Sequence, residues 1–100
     1  VSGHAIEWVT YNETARVKQT RLNIAGYTAE VWLMPNGQWC TSAHWSLSSM
    51  HRSLFRDTWT DTEHEGRTAA LKAIRRDAID MAKLMGKVVA AVTAELGDSP

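Results

Sequence analysis

The chain of 100 residues reads as an α+β domain, an antiparallel β-meander of three to five strands with one face packed on a long C-terminal α-helix. Three observations carry this expectation. Two alternating runs, residues 27–34 and 38–47, flank Pro35-Asn36-Gly37, the pattern of a β-hairpin. Apolar residues then recur at steps of three and four from Leu71 to Leu96, the period of an amphipathic helix. The segments before and beside the hairpin are rich in Thr, Val and aromatic residues and carry no helical stripe.

The first 24 residues are expected to hold two strands. Ile6, Trp8, Val9 and Tyr11 supply strand chemistry, Tyr11-Asn12-Glu13-Thr14 reads as a turn, and Ala15 to Ile24 alternates loosely. Gly26 marks a bend into the central hairpin.

The register of the 27–47 hairpin follows from side-chain segregation. A two-residue Asn-Gly turn would set Met34 opposite Trp39 and mix apolar with polar groups on both faces. A type I turn centred on Pro35 and Asn36, with Gly37 as a left-handed bulge, instead sets Leu33 opposite Trp39. Val31 then faces Thr41, Ala29 faces Ala43, and Tyr27 faces Trp45. One face becomes nearly all apolar, while Thr28, Glu30, Trp32, Cys40, Ser42, His44 and Ser46 occupy the other. A slip of one residue would invert every side chain, so the segregation selects the second register and predicts Trp39 and Trp45 as buried.

Ser48 to Ser53 reads as a polar connector, and Leu54 to Thr60 as a further strand with Phe55 and Trp59 in phase. Thr62-Glu63-His64-Glu65 has the form of a capping box, and Gly97 supplies a stop. Residues 63–96 are therefore helical within a single domain spanning 1–100. A helix of roughly 30 residues is about 45 Å long, whereas a seven-residue strand spans about 23 Å. The helix must outrun its sheet. Beyond Gly86, Val88, Val89, Ala90, Ala91 and Val92 are apolar on every side. Either the helix breaks at Gly86 and folds back, or its second half meets a partner, most simply a second copy through Leu84, Val88, Ala91 and Val92.

Eleven basic and eleven acidic residues cancel, which removes the global electrostatic footprint of a nucleic-acid binder. One cysteine excludes an intrachain disulfide and a cysteine zinc cluster, and fits a reducing, cytoplasmic setting. No apolar run approaches the roughly 18 residues of a membrane span. Cys40 and His44 lie about 13 Å apart along one strand, too far to share a metal or act as nucleophile and base. No Gly-rich phosphate loop, nucleophile elbow or catalytic carboxylate pair is present, so neither an enzyme nor a cofactor or metal is expected.

What remains is a small dimeric interaction or regulatory module, in which a different protein partner could take the place of the second copy. Two alternatives stand beside it. One is a small-ligand site on the hydrophilic sheet face, with Trp32 as platform and Glu30 and His44 near it. The other is a nucleic-acid surface using the sheet face together with Arg52, Arg56, Lys72 and Arg76. It is less favoured, since Asp80 can pair with Arg76 and Lys83 at helical spacing.

Overall fold

A computed structural model describes residues 6–14 and 17–97. Five strands, β1 (Trp8–Glu13), β2 (Lys18–Ile24), β3 (Tyr27–Leu33), β4 (Trp39–Leu47) and β5 (Met50–Thr60), precede one helix, α1 (Glu63–Leu96). Every strand pairs antiparallel with its sequence neighbour, giving the meander order β1-β2-β3-β4-β5. The expected fold class is the observed one.

The central hairpin has the register that apolar segregation selects, with Tyr27 opposite Trp45, Ala29 opposite Ala43, Val31 opposite Thr41 and Leu33 opposite Trp39. Gly37 has φ +85° and donates its N–H to the Met34 carbonyl, while Met34 N–H returns to Gln38. These are the bonds of a turn closed by a glycine bulge. The β2–β3 turn is tighter, with Ala25 (φ +49°) and Gly26 (φ +89°) both left-handed, as a two-residue hairpin loop requires. Gly26 also lies under Trp45, since a Cβ there would stand 2.9 Å from the indole nitrogen.

Several expectations are corrected. The first turn comes later than residues 11–14, because β1 continues to Glu13 and the chain reverses where Thr14 N–H meets the Val17 carbonyl. The start of the expected first strand, at His4 and Ala5, lies outside the described residues, as do Ala15 and Arg16. Ser48 to Ser53 is no connector. The chain turns at Ser48 and Ser49, and Met50 already pairs with Leu47. Polar residues suffice there because Met50, His51 and Ser53 are exposed and Arg52, which faces the helix, is ion-paired to Asp77. Register shifts around residues 41–44, and Asp57 at φ +49°, break the alternation of β5. Phe55 consequently packs against the core, whereas Trp59 stands opposite Cys40 and is largely exposed. Trp39 and Trp45 are half-buried rather than buried.

The core lies between α1 and the face carrying Leu22, Tyr27, Ala29 and Ala43, against which Ala70 and Ile74 pack. Alanines at the sheet centre let the helix come close, and at Gly66 there is no room for a side chain. A Cβ at Gly66 would stand 2.5 Å from Thr41 Oγ1 and 3.1 Å from Val31 Cγ1. Thr41 and Val31 are wholly buried and have little room to move. Gly66→Ala is therefore expected to lower stability, by about 1–2 kcal/mol in denaturant unfolding. Overpacking costs about 1–3 kcal/mol, which outweighs a helix-propensity gain of up to ~1 kcal/mol.

Thr62 caps α1, its hydroxyl accepting from Glu65 N–H at 3.1 Å. Gly97 ends it in the left-handed conformation. The helix runs unbroken for 34 residues through Gly86, so the folded-back alternative is ruled out. Its 34 residues give about 51 Å at 1.5 Å each, in a molecule 62 Å long and 27 by 24 Å across.

Candidate functional site

With α1 on one side of the sheet, no described element crosses the other side. On this open face Trp32, Cys40 and Trp59 form a row across β3, β4 and β5. Cys40 is only 4% exposed although it points away from the helix, with large indoles on the neighbouring strands at either side. Trp59 itself is 48% exposed and Trp32 is half-buried. Burial first, then the neighbouring Asp57 carboxylate, which accepts from the thiol at 3.6 Å, push the Cys40 pKa up. Such a thiol is a poor nucleophile.

Glu30 is already engaged. It accepts from the Tyr11 hydroxyl at 3.0 Å and from Arg21 at 2.9 Å, and Arg21 lies 5.0 Å over the Tyr11 ring. The Glu30 carboxylate holds the Arg21 pKa above its usual value. His44 faces His51, ring centroids 4.8 Å apart. With Ser42, Ser53 and Arg56 these imidazoles line a hollow of about 120 Å³. Trp32, Glu30 and His44 thus share one face, as expected. They do not converge, because Trp32 pairs with Cys40 and His44 lies four residues further along β4.

The four basic candidates separate. Arg52, Lys72 and Arg76 line a groove of about 510 Å³ between β5 and α1, together with Asp77 and Asp80. Arg56 lines the hollow on the open face instead. Asp77 organises the groove, accepting from the Tyr27 hydroxyl at 2.5 Å and from Arg52 at 2.5 Å. Arg52 also lies 5.0 Å over the Trp45 ring. Among the described residues no ion pair joins Asp80 to Arg76 or Lys83, contrary to the helical-spacing expectation. Two carboxylates against three cations leave the groove weakly positive.

Burial opposes ionisation of Asp77, but the Tyr27 hydroxyl and the Arg52 guanidinium outweigh it and hold the pKa below the usual value. Burial, followed by the bond to Asp77, pushes Tyr27 up to about 12. A phenol whose pKa rises on folding stabilises the fold below its unfolded value, near 10, and loses that contribution as pH climbs through about 12. The stability measured by chemical denaturation of the wild type is thus expected to fall between pH 10 and 12, with a smaller slope in Tyr27→Phe.

The third surface is the end of α1. From residue 82 to 96 only Thr93 is not exposed, although Leu84, Met85, Val88, Val89, Val92 and Leu96 fall in this stretch. They are 46–68% exposed. No family model, curated protein or solved structure matches the chain. Function is accordingly read from its own residues. Among those described, no three His, Cys, Asp or Glu side chains group to hold a metal ion, and no helix is long and apolar enough to cross a membrane.

Trp59 and Asp77 were not legible as site residues, and the spacing did not pair His51 with His44. Nothing in the spacing of β5 signals the break that turns Trp59 outward. The partners of His51 and Asp77 lie on other elements.

Proposed function

We propose that the chain is a small homodimeric interaction module, assembled through the C-terminal half of α1. The observation that carries this is the unpartnered apolar stripe on the projecting helix. Six half-exposed aliphatic side chains there amount to an area on the order of 500 Å², near the upper end of the ~300–600 Å² of the largest patch on a typical monomer. Leaving them in water forfeits roughly 25 cal/mol for each Å².

The stripe also selects an orientation. At 100° per residue, Leu84, Val88 and Val92 lie on the same side of α1 as Ala70 and Ile74, which pack on the sheet. A parallel partner helix laid on that side would carry its N-terminal half into the space of the first copy's sheet. An antiparallel partner points its own sheet past the far end of the helix and avoids the overlap. A two-fold axis near Val88 and Val89 then sets Met85 against the partner's Val92. Small residues at Ala90, Ala91 and Ala94 permit close approach. Sedimentation at tens of micromolar is expected to give twice the 11.2 kDa chain mass. A monomer under those conditions would refute the module.

A further inference from the structure

The open face of the sheet is independent of the helix stripe and carries a second kind of chemistry. We infer that it binds single-stranded nucleic acid, with the Trp32–Cys40–Trp59 row as a stacking platform and the hollow at Arg56, His44 and His51 as a phosphate site.

The platform rests on register and burial. Cys40 is 4% exposed between its cross-strand neighbours Trp32 and Trp59, with the Asp57 carboxylate also against it, and the indole of Trp59 presents apolar area to solvent in the middle of a hydrophilic face. Every base offers a π-face to such a surface, whatever the sequence. The hollow supplies the complementary half. Its polar side chains are Ser42, His44, His51, Ser53 and Arg56, every one able to donate a hydrogen bond and none a carboxylate. Among the described residues Arg56 has no carboxylate within ion-pair distance. Glu30 on this face is neutralised by Arg21, whereas Asp57 accepts, among the described residues, only from the neutral Cys40 thiol and keeps its charge, which places the phosphates at the hollow rather than over the Cys40 end of the row.

The spacing suits neighbouring nucleotides of one strand. Ser42 and His44 lie two and four residues along β4 from Cys40, or about 7 and 13 Å at ~3.3 Å per residue. Openness favours a polymer over a free nucleotide. A small-molecule site buries most of its ligand, whereas a hollow of about 120 Å³ beside a flat platform encloses little, so affinity must be summed over several units. The basic groove behind β5 contributes nothing to this face, since Arg52 is turned toward Asp77 on the helix. With so few free cations, the salt dependence is shallow, corresponding to one or two phosphates at a slope of about −0.7 each.

The test uses the intact chain and a 12-nucleotide oligothymidylate at low salt. Expected results are quenching of tryptophan fluorescence, weaker binding of the matching duplex, and negligible binding of thymidine monophosphate. Trp59→Ala is expected to lower affinity between about 5- and 160-fold, the range of one lost base stack. Trp59→Phe, which keeps a ring, should retain most of it. Arg56→Ala should weaken binding and flatten the salt slope by about 0.7. Both positions are exposed, and circular dichroism checks that each variant is folded. Absence of quenching by the oligonucleotide, equal affinity in folded Trp59→Ala, or equal affinity for duplex would overturn the inference. Mononucleotide binding as tight as that of the oligomer would overturn it too, in favour of a nucleotide site.

Discussion

Replacing Leu84 and Val88 together by glutamate is expected to convert a dimer into a monomer of lower apparent stability. At these positions the isolated chain leaves the side chains 50% and 47% exposed, and glutamate is among the better helix formers. The substitutions therefore cost the monomer fold little. In the antiparallel pair they would place four carboxylates along one seam, where burying an unpaired charge costs several kcal/mol. Two readouts separate loss of assembly from loss of folding. Sedimentation of the variant should give the monomer mass with an unchanged far-ultraviolet helix signal. The melting temperature of the wild type should rise with protein concentration, as mass action requires of a dimer, and that of the variant should not. A wild-type melting temperature independent of concentration would contradict the assembly even before the variant is made.

Val31→Asp is expected to destabilise by an amount on the order of 3 kcal/mol or more, through a buried, unpaired charge. Val31 is wholly buried, between Thr20 on one neighbouring strand and Thr41 on the other, and it lies beneath Gly66. The only polar groups beside it are two threonine hydroxyls, both buried and without a hydrogen-bond partner among the described residues. They can donate to a carboxylate but cannot neutralise it. Ser46→Asp on the open face is the control, expected within about 0.5 kcal/mol. The contrast tests side-chain phase directly, because a shift of one residue would exchange the two outcomes. Equal denaturation midpoints for the two variants would refute the register.

The central hairpin, the capping box at Thr62 and Glu65, the stop at Gly97 and the length of α1 could all be read from the sequence. Each depends on residues close together in the chain. Backbone conformation at Gly37 and Gly97, the hydroxyl at Thr62 and the apolar periods of 2 and 3.6 are local properties, and local chemistry suffices to state them. The excess of helix over sheet is likewise arithmetic on two rises per residue.

Tertiary structure alone decided what the side chains of β5 do and which polar groups meet. Met50 to Ser53 look like a connector because strand propensity reflects packing, and an edge strand with a solvated face needs little of it. Bulges near residues 41–44 and the left-handed Asp57 change the phase of β5 without a glycine to announce them. The result is one aromatic, Phe55, against the core and another, Trp59, in solvent. Arg52 and Arg56 sit four residues apart in the chain yet serve opposite faces of the sheet. Asp77 finds Tyr27 fifty residues away, and Gly66 is needed only because Thr41 lies under it. In each case the deciding quantity is a distance between elements far apart in the chain. Sequence spacing holds no term for such a distance until the sheet and helix have packed.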